Sequence, residues 1–113
     1  MRYMLMICHE GSSLPGPASI EADPRYRFWR EEMTHRGVLR GGARLRPAED
    51  ATTVRVREEE EVLLSDGPFA ETKEQVAGYD IIECEDLDEA IEVASRHPVA
   101  RFGSIEVRPL WVE

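Results

Sequence analysis

The residues best suited to chemistry in this chain are concentrated between positions 65 and 80, in the stretch SDGPFAETKEQVAGYD. Its charged residues are Asp66, Glu71, Lys73, Glu74 and Asp80. A lysine held among carboxylates can act in acid–base chemistry, because neighbouring charges shift the pKa of each group. The same residues on a solvated surface would form ion pairs and nothing more. The sequence leaves both interpretations open.

The two halves of this stretch predict different structures. Residues 66–68 (Asp-Gly-Pro) predict a turn, because Asp bonds its own backbone, Gly relaxes φ and Pro fixes it. Phe69 is expected to anchor that turn by packing, so the first half is explained without a ligand. The second half is expected to form either a solvated surface or the polar lip of a ligand-binding cleft, through Glu71, Lys73 and Glu74.

His9 stands at the end of the first predicted strand, and the ordinary pKa of histidine suits a general base. A histidine at a strand end also serves as a partly buried hydrogen-bonding residue. The strand that begins near Val76 is predicted to run antiparallel to the first, so His9 and the 65–80 stretch meet at one end of the sheet. On that geometry, His9 and Asp66 are the candidate catalytic residues.

Further candidate ligand-binding residues are Asp80, Arg55, Glu106 and Arg108. Asp80 lies within a strand that is expected to be buried, where a carboxylate needs a partner or water. Glu106 and Arg108 project from one face of the last strand, opposite its apolar side chains. Arginines placed there would bind an acidic ligand, and the alternative is ion pairing across a subunit interface.

Apolar alternation and turn residues define the elements that position these side chains. Strands are predicted at residues 2–8, 43–45, 52–57, 62–64, 76–84 and 104–107, with the acidic run 58–61 as a hairpin tip. One helix begins at Asp23 and Pro24, an N-cap and a first-turn proline, and ends near Gly37. A second begins at Asp86 and ends before Pro98. Its predicted buried stripe is Leu87, Ala90, Ile91 and Ala94.

The order strand, helix, strand, hairpin, strand, helix, strand predicts an α+β fold, the ferredoxin-like βαββαβ pattern with an extra hairpin. In that fold two helices cover one face of an antiparallel sheet. Cys8 and Cys84 then lie at opposite ends of the sheet, about 20 Å apart at about 3.3 Å per residue. No disulfide is expected between them.

The first strand is apolar on both faces, although two helices can cover only one face of the sheet. Tyr3, Leu5 and Ile7 alternate with Met4, Met6 and Cys8. A second subunit packed sheet to sheet would cover the other face. The alternation therefore predicts a homodimer.

The chain has 113 residues and a formal net charge of −9, which fits a single domain spanning residues 1–113. Such acidity argues against a nucleic-acid partner. No apolar run reaches the roughly 18 residues of a membrane span, and the start is interpreted as a strand of a cytoplasmic protein without a membrane partner. No metal or nucleotide motif is present, so no cofactor is expected.

Several sequence strings, DGPFAETKE, GYDIIE and IEVRP, resemble the DGPF family, a branch of the YCII-related proteins. MRYMLMI resembles the typical start of the family, ATTVR its middle strand and DLDEAIEVASRHP its second helix. The resemblance covers nearly the whole chain. It implies a dimeric α/β barrel built from ferredoxin-like subunits.

The resemblance implies less about function. Family members look like small bacterial proteins, often encoded beside or fused to extracytoplasmic-function sigma factors, and no settled activity comes with them. In the wider YCII group a His and Asp pair has been proposed as an active site, with the His in the first helix, a pattern that His35 does not match.

Three hypotheses follow for function. One is a homodimer that binds or transforms a small molecule in a polar cleft near the DGPF stretch. Another is a regulatory partner of a sigma factor, and the third is a structural dimerisation module.

Overall fold

The computed structural model describes residues 1–10, 23–67 and 75–112, and it confirms the predicted order of strands and helices. The strands are β1 (Arg2–His9), β2 (Leu39–Arg44), β3 (Thr52–Arg57), β4 (Glu61–Asp66), β5 (Gln75–Glu83) and β6 (Ser104–Pro109). The helices are α1 (Pro24–His35) and α2 (Leu87–Ser95), with short 3-10 turns at Ala48–Asp50, Glu58–Glu60 and Pro98–Arg101. Cys8 and Cys84 form no disulfide, as predicted.

Four of the strands form one antiparallel sheet in the order β2-β5-β1-β6, and β3 pairs with β4 in a separate hairpin. With the hairpin set aside, this is the ferredoxin-like arrangement, so the predicted α+β fold class is confirmed. The described part of the chain contains no closed barrel. A barrel would have to form between two copies of the chain.

The two faces of the sheet are unequally covered. On the face beneath the helices, which we call the helix face, β1 buries Tyr3, Leu5 and Ile7. The alternate residues Met4 and Met6 are only half-buried on the opposite, open face. Residues that pair directly across strands share a face, so the open face also carries Tyr79 and Ile81 of β5, Ala43 of β2, and Glu106 and Arg108 of β6.

The first helix begins and ends where its sequence predicts. The Asp23 side chain accepts a hydrogen bond of 2.8 Å from the backbone N–H of Arg25, and Pro24 occupies the first turn, where its missing N–H is harmless. After Arg36 the chain leaves the helix through Gly37, whose φ of +73° suits glycine. Trp29 and Met33 point into the core.

The second helix also begins as predicted, but its buried stripe is rotated. Asp86 accepts from the backbone N–H of Glu89 at 2.9 Å, which is the expected cap. The buried residues are Ala90, Val93 and Ala94, whereas Leu87 and Ile91 are about half exposed. The rotation follows from a close helix–helix contact, because the indole N–H of Trp29 donates to the Val93 carbonyl at 3.0 Å.

The second strand is longer than the predicted residues 43–45. It begins at Leu39, and its pairing to β5 continues through Gly41 and Gly42 to Arg44. Glycines have low strand propensity, so Gly41 and Gly42 kept the pattern from predicting the first half of this strand. Its existence depends on pairing with β5 and on the packing of Leu39 against the core.

The hairpin has two chemically different faces. Cross-strand pairs place Val54 opposite Leu64 and Val56 opposite Val62. These four side chains form one surface, the hairpin apolar face, and each is 55–67% exposed. The opposite face carries Arg55 and Leu63.

The molecule is thin and extended for its length. Its principal extents are 49 × 37 × 19 Å, and 19 Å is about the thickness of one sheet and one layer of helices. The radius of gyration is 15.9 Å, compared with about 13 Å for a compact domain of this size. Both values agree with one uncovered sheet face and a projecting hairpin.

Candidate functional site

Three of the candidate ligand-binding residues, Glu71, Lys73 and Glu74, lie outside the described residues, as do Pro68 and Phe69. The described chain resumes at Gln75, which pairs with His9 across β5 and β1. His9 is half-buried, and its Nδ1 lies 3.1 Å from the Glu10 carbonyl oxygen. The 65–80 stretch therefore rejoins the sheet beside His9.

Asp66 ends β4 at the base of the hairpin, opposite Thr52, and is exposed. The next residue, Gly67, has φ +89° and donates its backbone N–H to the Ala51 carbonyl at 2.7 Å. The Thr53 hydroxyl donates to the Gly67 carbonyl at 2.8 Å. These bonds close the base of the hairpin, and the turn predicted at residues 66–68 continues into Pro68, which lies outside the described residues.

The remaining candidate ligand-binding residues, Glu106, Arg108 and Arg55, lie on two separate surfaces. Glu106 and Arg108 are an exposed ion pair on the open face, 2.5 Å apart. Arg55 is half-buried on the polar face of the hairpin, opposite Leu63. Within one chain, these arginines therefore belong to different sheets.

Asp80 lies on the helix face of β5, opposite the face that carries Glu106 and Arg108. It is 4% exposed, and its Oδ1 lies 3.4 Å from Nη1 of Arg30 on α1. Burial raises the pKa of the Asp80 carboxyl above its ordinary value, and the Arg30 charge opposes part of that rise. The predicted need of this carboxylate for a partner is met by Arg30.

The Asp80 carboxylate fits only because its neighbour on β2 has no side chain. A Cβ built on Gly42 would stand 2.5 Å from Asp80 Oδ1 and 2.4 Å from the Tyr79 carbonyl oxygen. Gly42 also has φ +144°, a conformation that other residues rarely adopt. The glycine therefore lets the edge strand pass directly over the carboxylate.

Arg30 extends this pair into a larger cluster. Its Nη1 donates to the Tyr26 hydroxyl at 3.4 Å, and its guanidinium carbon lies 5.8 Å from the centre of the Tyr26 ring. The Tyr26 ring in turn contacts His97 edge-on, with 5.7 Å between ring centres. We call Tyr26, Arg30, Asp80 and His97 the Asp80 cluster.

His97 is the most enclosed member of the cluster, at 2% exposed. Its Nδ1 accepts the backbone N–H of Val99 at 3.1 Å and so caps the 3-10 turn Pro98–Arg101. The ring also packs edge-on against Trp29, with centres 4.6 Å apart. Burial, with a smaller contribution from the nearby Arg30 charge, lowers the pKa of His97 to about 4, so the imidazole is neutral at pH 7.

The sequence as a whole matches one family model, the YCII-related domain, over residues 1–113. The chain belongs to the YCII-related family. A relative is an uncharacterised protein of Rhizobium meliloti (strain 1021), 38% identical over 111 residues, which cover 93% of this chain and 89% of the relative.

The Asp80 cluster of this YCII-related protein suits ligand binding and proton transfer. Arg30 keeps 42% of its side chain exposed and carries N–H donors that can pair with a carboxylate or phosphate. A buried carboxyl with a raised pKa can accept or return a proton nearer neutral pH than an exposed one. Among the described residues, no three His, Cys, Asp or Glu side chains are grouped to hold a metal ion.

Thiolate chemistry is not favoured at Cys84. Burial, together with the neighbouring Glu89 carboxylate, raises the pKa of the Cys84 thiol to about 11. The thiol is therefore protonated at neutral pH and behaves as a small apolar group.

Among the described residues, no helix combines the length and the apolar composition needed to cross a bilayer.

Sequence reasoning found Asp80 but missed Tyr26, Arg30 and His97. Their contacts join residues that are far apart in the chain, and no local motif connects them. One signal was present: Tyr26 and Arg30 are four residues apart on α1, so they share a helix face. Because a buried carboxylate needs a cation, the arginines of that helix were candidate partners for Asp80.

Proposed function

We propose that this YCII-related protein is a homodimer in which each subunit binds a small anionic molecule at the Asp80 cluster. The observation that supports binding is the Arg30–Asp80 pair, a buried carboxylate contacted at 3.4 Å by a guanidinium that stays 42% exposed. Here the cation faces solvent while the anion faces the core.

The chemistry of the pair defines the ligand. Within the described part of the chain, Arg30 uses Nη1 for both Asp80 and Tyr26. Its remaining N–H groups point to a carboxylate or phosphate as the group recognised. The Tyr26 hydroxyl adds a neutral hydrogen-bonding group, and Asp80 would accept a proton from a donor on the same ligand.

The experiment is a thermal-shift titration with acetate, malonate, succinate, benzoate and inorganic phosphate. A probe at about 100 times its Kd stabilises a protein by about 2.7 kcal/mol, which raises Tm by about 10 °C in a domain of this size. We expect at least one probe to stabilise the wild type and Arg27→Gln, a control at an exposed position on the same helix. Arg30→Gln should abolish the shift.

Two outcomes would contradict this proposal. A shift that survives in Arg30→Gln would place the binding site elsewhere, and the lack of any shift with all five probes would remove the anion-binding function. Copurification of a sigma factor with both the wild type and Arg30→Gln would instead favour the regulatory alternative.

The homodimer is supported by the open face of the sheet. Met4, Met6, Tyr79 and Ile81 are only half-buried there, although they lie on the two central strands. Central strands with apolar residues on both faces are normally covered on both sides. A second copy, placed face to face around a two-fold axis, would cover these residues in both subunits at once.

Ala43→Glu tests this arrangement, because Ala43 is exposed on the open face of β2 and the change should leave the isolated subunit folded. We expect sedimentation equilibrium to show a dimer for the wild type and a monomer, or a dimer at least a hundredfold weaker, for Ala43→Glu. A control is Arg27→Gln on the helix layer, which should stay dimeric. A monomeric wild type would refute the proposed dimer.

A further inference from the structure

The hairpin apolar face is a second uncovered surface, separate from the open face of the sheet. Val54 and Val56 alternate with polar residues along β3, and they share one face of the hairpin with Val62 and Leu64 of β4 and, at its base, with the polar pair Thr52 and Asp66. Such alternation is typical of a strand pair that packs one face on a core. In a single chain, however, each of the four side chains is 55–67% exposed.

The hairpin lacks the support that a two-stranded sheet normally needs. Isolated two-stranded hairpins are marginally stable in water and require a third strand or a packed face. β3 and β4 pair only with each other in the described part of the chain. The radius of gyration of 15.9 Å also exceeds the roughly 13 Å of a compact domain of this length, as expected if the hairpin projects.

The size of the two surfaces indicates how they combine. Four strands about 4.8 Å apart and six residues long present roughly 400 Å² on one face, and two such strands present roughly 200 Å². Two open faces packed together would bury about 800 Å² in total, which is below the roughly 1,200 Å² of small stable interfaces. If each hairpin apolar face covers about half of the partner's open face and the two remaining halves cover each other, all four surfaces are buried, roughly 1,200 Å² in total, which reaches that threshold.

We infer that the β3–β4 hairpin is an exchanged arm, which packs its apolar face against the sheet of a second copy of this chain while that copy does the same in return. The inference rests on the proposed homodimer and names the segment that completes its interface. The occupant is a second copy because the two uncovered surfaces have the same apolar character and occur once each in every chain. A two-fold exchange therefore covers all four surfaces and leaves none over.

The polar residues around these surfaces fit an interface rim. The open face ends in two ion pairs within the chain, Arg2–Glu83 and Arg108–Glu106. The hairpin tip carries exposed acids from Glu58 to Glu61. Charged residues of this kind are typical of the solvated rim of an interface, whereas the apolar residues between them are typical of its centre.

Leu64 and Leu63 provide a matched test, because they are neighbours in the chain and lie on opposite faces of the hairpin. Leu64→Asp should weaken dimerisation at least a hundredfold, since each dimer contains two copies of the buried position. Leu63→Asp should change the dimer dissociation constant less than threefold. Both constants are measured by sedimentation equilibrium, and circular dichroism checks that each variant is folded.

Amide hydrogen exchange gives a second readout that leaves the hairpin sequence intact. In the wild-type dimer, the backbone amides of β3 and β4 should be protected. In Ala43→Glu, whose substitution is on the four-stranded sheet, those amides should exchange at least tenfold faster because the arm has lost its support. The amides of β1 serve as the internal reference.

The possible results distinguish a failure of the exchanged arm from a failure of the proposed homodimer. If Ala43→Glu is monomeric but Leu64→Asp dimerises like the wild type, the exchanged arm is wrong and the proposed homodimer stands. Unchanged hairpin protection in a monomeric Ala43→Glu would also overturn the arm. A monomeric wild type would overturn both.

Discussion

Lowering the pH from 7 to 4 is expected to destabilise this protein by about 3 kcal/mol through His97 alone. Burial lowers the pKa of His97 from the ordinary 6.5 to about 4 in the folded state, and each pKa unit corresponds to about 1.4 kcal/mol. The unfolded chain therefore binds a proton at His97 before the folded chain does. The contribution of His97 is fully present above pH 6.5 and is lost as the pH falls to about 4.

Other groups titrate in the same range, so the measurement must isolate His97. The Asp80 carboxyl acts in the opposite direction: burial raises its pKa, and the folded state therefore gains relative stability as the pH falls toward the ordinary value of 3.8. Arg30 and Tyr26 also face the imidazole. A comparison of two proteins that differ only at His97 removes the contributions that they share.

The variant is His97→Asn, because asparagine can retain the cap on the Val99 N–H. Its loss of packing against Trp29 should lower stability by a nearly constant amount at every pH. We expect the difference in the free energy of unfolding between wild type and variant, from urea denaturation, to shrink by about 3 kcal/mol between pH 7 and pH 4. His35→Asn, at an exposed position, is the control. A difference that is constant with pH would contradict a buried neutral His97.

Gly42→Ala should destabilise the fold by about 3 kcal/mol or more. The new methyl group would meet the Tyr79 carbonyl oxygen and the Asp80 carboxylate well inside contact distance, and the residue would have to adopt φ +144°. Because the clash is with backbone, it cannot be relieved by rotating a side chain. The strain should also displace Asp80 from Arg30 and so impair any anion binding at the cluster.

Gly41→Ala is the matched control for this prediction. A Cβ at Gly41 would meet nothing within 4 Å, so the free energy of unfolding should change by less than about 1 kcal/mol. Urea denaturation of both variants at pH 7 gives the comparison. Equal losses of stability at the two glycines would show that the close approach over Asp80 is not what requires Gly42.

The parts of the fold that sequence reasoning predicted depend on local signals. Asp23 with Pro24 and Asp86 with Glu89 are caps that satisfy backbone groups within a few residues, so the helix starts could be recognised from neighbours alone. The alternation of β1 is likewise contained in eight residues. It indicated correctly that one face is buried by helices and the other is apolar.

The parts that were missed depend on contacts between distant segments. The start of β2 at Leu39 is decided by pairing with β5, and the rotation of α2 is decided by the bond from Trp29 to Val93. Two of the contacts that assemble the Asp80 cluster, from Arg30 to Asp80 and from Tyr26 to His97, bridge 50 residues or more. No rule of sequence spacing predicts such pairs, although a carboxylate in a buried strand, at Asp80, indicated that a partner was needed.

The sheet order has a consequence for how the protein is made. β1 pairs with β5 on one side and β6 on the other, and both neighbours come from the last third of the chain. At a synthesis rate of about 5–20 residues per second, β1 waits several seconds for either neighbour to leave the ribosome. A strand with apolar residues on both faces is then exposed while only local elements such as the hairpin can form. Nascent β1 is therefore the segment on which we expect chaperones to act.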